Sequence, residues 1–378
     1  MKIGTRLAQA GSRWDTRTGA VSMPIHQCAT FRHPGLGQST GFDYSRTANP
    51  TRAVLDETMA ALDGGARGGA FGSGLAAIDA VLRLFASGDR IVVTEDLYGG
   101  TFRLLEKCHR GLGVEAVFVD TTDLVATRAA LADDRVKGLL VEVPSNPLLK
   151  VADVAALVEL AHARGALLIV DNTFLTPVLM CPLALGADIV VYSGSKYLAG
   201  HNDVIAGLTV ARTAALGERI AFIQNAAGGI LGPMDAWLLL RGLKTLALRL
   251  QRQEANARVV AEFLGRQPHV TRVRYPGLAG DPGHAVMRRQ AAGFGGMIAF
   301  EVDDPGRVPV ILAGVKVFLF AESLGGTESL ITFPAVQTHA DVTPAVRDRL
   351  GINDRLLRLS IGIEDPADLV DDLAAVLA

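Results

Sequence analysis

Short runs of β-branched and other apolar residues alternate with helix-length segments through the first half of this 378-residue chain. The strand-like runs are RIVVTE, VEAVFVD, GLLVEVPS, ALLIVDNT, DIVVYSGS and AGLTVAR, and helical patterns such as LDETMAAL and LAAIDAVLRLFA precede them. Strands separated by helix-length segments favour a mainly parallel sheet that is covered on both faces. The pattern therefore predicts an α/β fold, with ligand-binding residues where strands end and loops begin.

The pattern changes near residues 50 and 233, which divides the chain into three parts. Residues 1–50 carry scattered Gly, Thr and Pro without a long period, so we expect an irregular arm that crosses a surface or a neighbouring subunit. Residues 51–232 hold the alternating pattern. From Pro233 a long amphipathic stretch reaches Leu264, and five further strand-like runs follow. Residues 233–378 are therefore predicted to form a smaller α+β domain.

Composition and charge exclude several classes of protein. Apolar residues make up 49% of the chain, and 37 basic residues against 39 acidic ones give no electrostatic reason to expect nucleic acid or an anionic membrane as a partner. The N-terminal segment lacks the apolar core of a signal peptide, and no apolar stretch approaches the ~18 residues of a membrane span. Cys28, Cys108 and Cys181 form no disulfide framework or zinc spacing. We expect a cytoplasmic protein with a small-molecule substrate and no metal site.

Asp171 and Lys196 follow two neighbouring strand-like runs, ALLIV and DIVVYSGS. Taken separately, each has an ordinary explanation, since Asp171 can cap a helix and Lys196 can be a loop lysine. Strand-end placement would bring both to one rim of the sheet, with the hydroxyls of Ser193 and Ser195 beside the amine. Together they supply what pyridoxal phosphate requires: a lysine for its aldehyde, a carboxylate for its pyridine nitrogen and donors for its phosphate.

Small residues precede an apolar helical pattern in GGARGGAFGSGLAAIDAVL, and free backbone N–H groups at such a helix start can bind a phosphate. The segment from Gly72 to Ala77 also fits GxGxxA, and Glu95 or Asp96 follows about twenty residues later, as in a dinucleotide-binding fingerprint. The preceding ARGGAF is a weak strand where that fingerprint requires a strongly apolar one. An NAD-dependent dehydrogenase is therefore a remote alternative.

Tyr98 and Asn146 also follow strand-like runs. Tyr98 lies in EDLYGGTF, where two glycines let the backbone approach a ligand and an aromatic ring can stack on a planar cofactor. Asn146, in VEVPSNP, offers an amide to a phenolic oxygen. A half-buried core tyrosine and a turn residue before proline are the structural explanations of the same two residues. Considered alone, neither residue identifies a cofactor site.

The motifs taken together resemble those of the Cys/Met-metabolism family of fold-type I pyridoxal-phosphate enzymes. This family contains cystathionine γ-synthase, cystathionine γ- and β-lyases, methionine γ-lyase and acylhomoserine sulfhydrylases. The resemblance covers essentially the whole chain and rests on YSRTANPT (44–51), GSGLAAI (72–78), YGGTF (98–102), PSNP (144–147), VDNTFLTP (170–177), SGSKYLAGHNDVIAG (193–207), ESLGGTESL (322–330) and RLSIGIED (358–365). It implies a fold-type I transferase architecture with a mainly parallel sheet of the seven-stranded type, an N-terminal arm and a smaller C-terminal domain.

The resemblance implies roles for the residues that match the family's motifs at the cofactor. Lys196 would bind the cofactor covalently and shuttle protons, and Asp171 would pair with the pyridinium nitrogen. Asn146 would bind the phenolic oxygen, while Tyr98 would stack on the ring and act as an acid or base near the substrate amine. The phosphate would be held by the backbone amides of Gly74 and Leu75 and by the hydroxyls of Ser193 and Ser195. Ser195 replaces the family's more frequent threonine and keeps the hydroxyl.

Further matches concern the neighbouring subunit and the substrate. Tyr44 and Arg46 match residues that reach the phosphate of a neighbouring subunit's site, which implies a catalytic dimer, normally paired into a homotetramer. Arg358 matches the arginine that binds the substrate α-carboxylate, a task suited to the guanidinium fork, and Ser323 matches a contact near that carboxylate.

Two acidic residues, Glu328 and Asp43, resemble side chains that bind the distal ammonium of cysteine or cystathionine. A solvated surface position explains each of them equally well.

The implied reaction is γ-replacement on an O-acylhomoserine by cysteine to give cystathionine, because ESLITFPAVQTHAD and RLLRLSIGIED look most like bacterial cystathionine γ-synthases and acylhomoserine thiolyases. Gly100 stands where methionine γ-lyases usually carry cysteine, which argues against that member. Cystathionine γ-lyase, cystathionine β-lyase and O-acetylhomoserine sulfhydrylase remain alternatives, since the bacterial lyases share nearly the same segments. A non-catalytic binding protein is not favoured, because no expected cofactor contact is missing.

Overall fold

A computed structural model describes residues 1–340 and 342–378. Within these residues two sheets are formed by twelve strands: β1 (Arg67–Phe71), β2 (Arg90–Thr94), β3 (Glu115–Val119), β4 (Val136–Glu142), β5 (Leu167–Asp171), β6 (Ile189–Ser193), β7 (Gly207–Ala211), β8 (Val270–Arg274), β9 (Met297–Val302), β10 (Leu319–Phe320), β11 (Leu330–Thr332) and β12 (Leu356–Ser360). The first sheet has seven strands in the order β1-β7-β6-β5-β4-β2-β3, and the second has five in the order β10-β11-β12-β9-β8.

The large sheet is mainly parallel, as the alternating pattern predicts. Strands β3, β2, β4, β5 and β6 run parallel to one another, and β7 is antiparallel to both of its neighbours, β6 and β1. Each strand-like run singled out between residues 90 and 212 is a strand in the structure. The predicted fold class is therefore confirmed, and the carboxyl ends of β4, β5 and β6 lie side by side.

The position of β1 excludes the dinucleotide-binding alternative. This strand lies at the edge of the sheet, far from β2 in the strand order, and both of its partners in the described residues, strand β7 and the isolated bridge from Phe71 to Ile230, are antiparallel to it. A dinucleotide fingerprint requires parallel strands joined by a helix within one βαβ unit. The segment GSGLAA therefore opens a helix without the sheet context that a nicotinamide cofactor would need.

Helices cover the sheets and connect their strands. In the described residues the α-helices are α1 (Ile3–Ala8), α2 (Pro50–Asp63), α3 (Gly74–Leu82), α4 (Gly99–Arg103), α5 (Leu124–Ala130), α6 (Val154–His162), α7 (Thr176–Leu179), α8 (Ala214–Ala227), α9 (Pro233–Leu243), α10 (Leu246–Leu264), α11 (His284–Gln290), α12 (Arg307–Gly314), α13 (Pro344–Leu350) and α14 (Pro366–Leu377). A π-helical turn (Leu104–His109) and a 3-10 turn (Arg110–Leu112) continue α4. No helix in this part of the chain has both the length and the hydropathy that crossing a bilayer would take.

The long amphipathic stretch that begins at Pro233 is two helices, α9 and α10, which are separated at Lys244 and Thr245. The buried Arg249 guanidinium explains the break, because it donates to the carbonyl oxygen of Gly242 at 2.8 Å and to that of Tyr197 at 2.7 Å. A carbonyl group at the end of α9 is thus bound to a side chain of α10. The same arginine ties the helix pair to the segment that contains Lys196.

The arm is more ordered than its irregular sequence predicts. It begins with helix α1, whose Leu7 is fully buried, and Met23 is also buried in the main apolar cluster. Residues 27–48 are mostly exposed and form one isolated bridge between Thr30 and Tyr44. Only this second part of the arm is free of the core.

The core lies on both faces of the large sheet. Successive residues of one strand point to opposite faces, so that Leu139 and Val141 belong to one apolar cluster and Leu140 to another. A third cluster covers the small sheet and contains Phe300 and Leu357. Because both faces of the large sheet are covered, polar side chains at the strand ends have only the rim of the sheet to occupy.

Candidate active site

The ends of three parallel strands place acidic and hydroxyl side chains next to one another. The register pairs Asp171, the last residue of β5, with Glu142 at the end of β4 and with Val191 near the end of β6. Ser193 ends β6, and the loop that follows contains Lys196. Carboxyl ends of neighbouring parallel strands share one edge, so the sequence-predicted residues of this loop and of β5 meet at the same rim.

Thr173 links two of these strand ends by hydrogen bonds. Its hydroxyl donates to Asp171 Oδ1 at 2.6 Å, its backbone N–H donates to the same oxygen at 3.0 Å, and it accepts from the Ser193 N–H at 2.8 Å. Burial raises the pKa of Asp171, and the hydrogen bonds from Thr173 counter that shift. The Asp171 carboxylate is therefore held in one orientation, and a cationic partner would restore an ordinary pKa.

The Lys196 amine donates to the Ser323 hydroxyl, with 2.9 Å between Nζ and Oγ. Burial, and next the positive charge of Arg358, lower the pKa of Lys196 to about 8. Ser323 has φ +96°, an unusual conformation for a residue with a side chain, and such conformations cluster at functional sites. The hydrogen bond between Lys196 and Ser323 joins a loop of the large sheet to a loop of the small sheet, and both residues were predicted from the sequence.

Arg358, on β12, is 1% exposed. Its guanidinium donates from NH1 to Asn146 Oδ1 at 2.8 Å, and from NH2 to the Ser323 carbonyl at 2.9 Å and to the Thr332 hydroxyl at 3.3 Å. Its buried Nε has no hydrogen-bond partner among the described residues. Burial lowers the pKa of Arg358 to about 10, so the group remains cationic at neutral pH. A buried cation whose acceptors are all neutral favours a ligand carboxylate.

The start of α3 has the features of a phosphate site. Ser73 is the N-cap and accepts from the Ala76 N–H at 3.0 Å, while the Gly74 and Leu75 amides have no hydrogen-bond acceptor in the described part of the chain. A Cβ placed on Gly74 would lie 3.0 Å from Ser193 Cβ, so the helix start and the end of β6 are in contact. Ser195 is engaged differently, because its Oγ accepts from the Ala206 N–H at 2.9 Å.

Tyr98 precedes α4, and its ring is partly exposed at the rim. Its backbone N–H donates to Glu142 Oε2 at 2.9 Å, and its phenol has no hydrogen-bond partner among the described residues. A Cβ placed on Gly100 would lie 2.3 Å from Tyr98 Cε1, so the ring lies directly over this glycine. The aromatic face is thus free to contact a flat ligand.

Sequence reasoning missed three polar residues of this rim: Glu142, Thr173 and Glu322. Burial, and next the neighbouring Asp171 carboxylate, raise the pKa of Glu142 well above its usual range. The negative charge of Glu322 acts against the fall in the pKa of Lys196. Glu142 ends the run GLLVE, the same strand-end signal that singled out Asp171, whereas Glu322 opens the motif ESLGGTESL but was assigned no role there.

Four predicted residues make no hydrogen bond to this cluster within the described part of the chain. Tyr44 and Arg46 are exposed on the arm, where Arg46 NH1 donates to the Asn225 carbonyl at 2.8 Å. Asp43 accepts from the Ser39 hydroxyl at 2.6 Å on the same exposed segment. Glu328 is exposed and accepts from Asn202 Nδ2 at 2.7 Å.

The residues at the rim fit the cofactor that the sequence motifs predict. The weakened Lys196 base suits an aldehyde, the oriented Asp171 carboxylate suits a pyridinium nitrogen, and the free amides of α3 suit a phosphate. The unpartnered Arg358 Nε provides a further donor for an anionic ligand. The arrangement can therefore bind an amino-acid substrate by its carboxylate beside a lysine that transfers protons.

Comparison with known proteins agrees with this chemistry over the length of the chain. A family model described as "Cys/Met metabolism PLP-dependent enzyme" matches residues 4–378. Cystathionine γ-lyase of Bacillus subtilis (strain 168) is 48% identical over 377 residues, which cover 100% of this chain and 99% of that protein. Cystathionine γ-synthase of Haemophilus influenzae is 49% identical over 377 residues, which cover 100% of this chain and 98% of that protein.

A solved structure also matches the whole chain. The structure of cystathionine γ-synthase from Xanthomonas oryzae pv. oryzae, in complex with aminoacrylate and cysteine, matches with a TM-score of 0.98 and 44% sequence identity. The match covers 100% of this chain and 98% of that chain. Synthases and lyases thus resemble the chain to the same degree.

Proposed function

The chain belongs to the Cys/Met metabolism PLP-dependent enzyme family, and from this premise we propose that it catalyses γ-replacement on an O-acylhomoserine by cysteine, giving cystathionine. It is a pyridoxal-phosphate-dependent enzyme of cystathionine and transsulfuration metabolism. The observation that carries the proposal is the connected set Lys196–Ser323–Arg358–Asn146, which lies at the same sheet rim as Asp171. This set joins a proton-transferring amine to a carboxylate-binding cation.

Pyridoxal phosphate supplies an electron sink that stabilises negative charge at the substrate Cα. Asp171 would keep the proton on the pyridine nitrogen, because a neighbouring carboxylate favours the charged ring. The Lys196 amine accepts the Cα proton of the substrate and returns protons to it. Its pKa of about 8 leaves a useful fraction of neutral amine at physiological pH.

The substrate carboxylate binds to Arg358 in our proposal. The guanidinium is oriented by Asn146 and by the Ser323 carbonyl before a substrate arrives, so little conformational entropy is lost on binding. Ser323 lies between the two groups, because its hydroxyl accepts from the Lys196 amine and its carbonyl accepts from Arg358, which binds the substrate carboxylate in this proposal. Tyr98 acts as the acid or base near the substrate amine and the leaving group.

The amides of Gly74 and Leu75 at the start of α3 and the Ser193 hydroxyl would hold the cofactor phosphate. The Ser195 hydroxyl would bind the phosphate either after breaking its hydrogen bond with the Ala206 N–H or while keeping that bond. The positive end of the α3 dipole adds a favourable field for the phosphate.

Tyr44 and Arg46 act in the site of a second subunit, so the functional unit is a catalytic dimer, paired into a homotetramer. Two features support this. Both side chains are exposed and make no hydrogen bond to the cluster within the described residues, and the buried Arg52 holds the loop by donating to the Ser45 carbonyl at 2.8 Å and to the Arg46 carbonyl at 3.2 Å. An exposed loop whose backbone is held by a buried guanidinium can present its side chains in a fixed position to the active site of a neighbouring subunit.

A cystathionine γ-lyase is the second candidate. The 48% identity to the Bacillus subtilis γ-lyase over the whole chain favours it as strongly as the synthase relatives favour the first. The synthase is placed first because the segments ESLITFPAVQTHAD and RLLRLSIGIED resemble bacterial synthases most. Glu328 and Asp43 are proposed to bind the distal ammonium group in either reaction.

A product assay distinguishes the candidates. Purified holoenzyme is incubated with O-succinyl- or O-acetylhomoserine plus cysteine, and separately with cystathionine alone. We expect cystathionine from the first mixture, and much slower release of 2-oxobutanoate from the second. Rapid formation of cysteine and 2-oxobutanoate from cystathionine would make it a γ-lyase, and homocysteine with pyruvate would make it a β-lyase.

A further inference from the structure

We propose that Glu142 and His339 are positioning residues for Tyr98: they hold the two ends of the single peptide group between Leu97 and Tyr98, and so set the direction of the Tyr98 ring. The inference rests on the proposed function only in that Tyr98 faces the cofactor and the substrate. Neither residue is among those that the family resemblance assigned to the site.

Both hydrogen-bonding groups of this peptide are occupied by side chains. The Tyr98 N–H donates to Glu142 Oε2 at 2.9 Å, and His339 Nε2 donates to the Leu97 carbonyl oxygen at 3.1 Å. The N–H and C=O of one peptide lie in one rigid plane, so two bonds at its opposite ends fix that plane. Glu142 comes from β4 of the large sheet and His339 from the segment after β11, which means that the two halves of the chain hold one peptide between them.

The Tyr98 side chain depends on this backbone for its direction. Its phenol has no hydrogen bond within the described residues, the residue is 40% exposed, and the ring lies over Gly100, which has no side chain to confine it. A ring that is not held at its tip takes its orientation from the Cα–Cβ bond. The plane of the preceding peptide, together with the φ angle of Tyr98 (−49°), sets that bond.

The His339 ring is itself fixed. It is 1% exposed, its Nδ1 lies 2.8 Å from the Thr338 hydroxyl, and its Nε2 lies 2.9 Å from the Asn146 carbonyl oxygen as well as close to Leu97. Two carbonyl acceptors require the proton on Nε2, which leaves Nδ1 to accept from Thr338. Burial and the positive charge of Arg358 lower the pKa of His339 to about 4, in agreement with a neutral ring.

The same imidazole therefore joins Tyr98 to the carboxylate-binding group. The Asn146 backbone carbonyl accepts from His339, and the Asn146 side chain accepts from Arg358. Two more observations place these segments together. Gly99 packs closely against residue Thr338, since a Cβ placed on Gly99 would lie 2.2 Å from the Thr338 carbonyl oxygen. Arg349 NH1 also forms a salt bridge with Glu95 Oε2 at 2.5 Å. The turn before α4 is thus packed against the segment that contains His339.

The first test measures amide hydrogen exchange at Tyr98 in the cofactor-free protein, so it depends on neither the cofactor nor the reaction. E142L and H339F keep side-chain bulk and remove the hydrogen bonds, and E142Q keeps an acceptor for the Tyr98 N–H. We expect roughly tenfold faster exchange at Tyr98 in E142L, a smaller increase in H339F, and protection restored in E142Q.

His284 provides a matched control, because it is a partly buried histidine whose Nδ1 lies 2.8 Å from the Pro276 carbonyl oxygen and whose ring stacks on Phe294. H284F should leave exchange at Tyr98 unchanged. Unchanged exchange in both E142L and H339F would overturn the proposal. Should H339F fail to fold, H339Q, which keeps a donor, is compared with the native protein in the same measurement.

The second test is a double-mutant cycle on the holoenzyme. E142L should lower kcat about tenfold or more while changing KM little, because a misdirected ring impairs the reacting geometry more than binding. In the Y98A background, where no ring remains to be positioned, the further loss caused by E142L should nearly vanish. The visible circular dichroism of the bound cofactor should also change in E142L and return toward the native spectrum in E142Q.

An undiminished loss in the Y98A background would mean that Glu142 acts on the cofactor or substrate directly, which would overturn its positioning role. Failure of the proposed reaction is a separate outcome. If no acylhomoserine or cystathionine is consumed while exchange at Tyr98 responds as expected, the proposed function is wrong and the positioning of Tyr98 stands.

Discussion

The protonation state of Lys196 is set by its neighbours rather than by its own chemistry. Burial and the Arg358 charge both disfavour an ammonium group, while the Glu322 carboxylate favours one. The net effect is a pKa of about 8, below the usual lysine range. An amine in this state reacts with an aldehyde near neutral pH, whereas an exposed lysine would be almost fully protonated.

Reconstitution of the cofactor-free protein should therefore depend on pH with a midpoint near 8. Only the neutral amine attacks the aldehyde, so the rate should fall about tenfold for each pH unit below the midpoint and level off above it. The visible absorbance of the lysine-bound cofactor follows the reaction, and K196A is the blank. A midpoint near that of free lysine would contradict the assigned environment.

Two neighbouring glycines should respond differently to the same added methyl group. In Gly99→Ala the new Cβ would meet the Thr338 carbonyl oxygen at 2.2 Å, and in Gly100→Ala it would meet the Tyr98 ring at 2.3 Å. A backbone oxygen has little room to move, while a partly exposed ring can rotate. Gly99→Ala should lower the free energy of unfolding by about 1–3 kcal/mol.

Gly100→Ala should keep nearly native stability and instead alter the visible circular dichroism of the bound cofactor, because the Tyr98 ring has turned. Thermal unfolding and cofactor spectra of the two variants check this contrast. Equal loss of stability in both would show that the Tyr98 ring is held more firmly than its contacts indicate.

At the scale of elements, a buried polar network fixes the turn that follows β5. Asn172 Nδ2 donates to the Met180 carbonyl at 2.9 Å and to the Tyr192 hydroxyl at 3.2 Å, and that hydroxyl donates to Asp63 Oδ1 at 2.7 Å. Asp63 ends α2, so helix, strand and turn are joined behind Asp171. Burial raises the pKa of Asp63 to about 7, and its Oδ2 has no partner within the described residues.

The raised pKa of Asp63 predicts a change of stability with pH. The unfolded chain loses this proton near pH 4, whereas the folded chain keeps it until about pH 7. Between these values the folded state binds more protons, so this group's contribution to the free energy of unfolding falls as pH rises.

Asp63→Asn removes the titration and keeps an acceptor for Tyr192. The drop in the thermal midpoint between pH 5 and pH 7 should therefore be smaller in the variant than in the native protein. Identical pH dependence of the two proteins would show that Asp63 is already ionised in the fold.

At the scale of the whole molecule, the exposed part of the arm carries Tyr44 and Arg46, the two residues that we propose to act in the site of a second subunit. The Arg46 guanidinium lies 5.6 Å from the Tyr44 ring centroid and donates to the Asn225 carbonyl oxygen at 2.8 Å. Large exposed side chains such as Tyr44 and Phe222 lie on this side of the molecule. Such a surface is suited to a second copy of the chain.

Mixed oligomers test the exchange of residues between subunits. R46A and K196A chains are each expected to be nearly inactive, since each lacks one part of every site. Co-refolded chains should recover up to about a quarter of native activity, because random pairing gives mixed dimers in half of the population and each carries one intact site. Mixing two R46A preparations is the control, and absence of recovery would place Arg46 in its own chain's site.

Much of the fold could be predicted from the sequence because strand periodicity is local. The runs between residues 90 and 212 are all strands, since β-branched residues that are buried on both faces leave a continuous apolar signal. Strand β1 was weak in sequence, as its glycines pack against other backbone: a Cβ on Gly68 would lie 2.2 Å from the Asp56 carbonyl oxygen. The division of the stretch after Pro233 into two helices escaped prediction because Arg249, on the second helix, binds the end of the first.

The sequence by itself determined the family, the cofactor and the strand ends, since these follow from local patterns and from motifs in a fixed order. Tertiary structure decided which polar groups face one another across the two sheets. Lys196 donates a hydrogen bond to Ser323, which lies 127 residues later in the sequence. Glu142 and His339, from separate parts of the chain, both bind the Leu97–Tyr98 peptide. Such contacts depend on how the two sheets pack, and packing is a property of the whole folded chain that no local pattern of residues records.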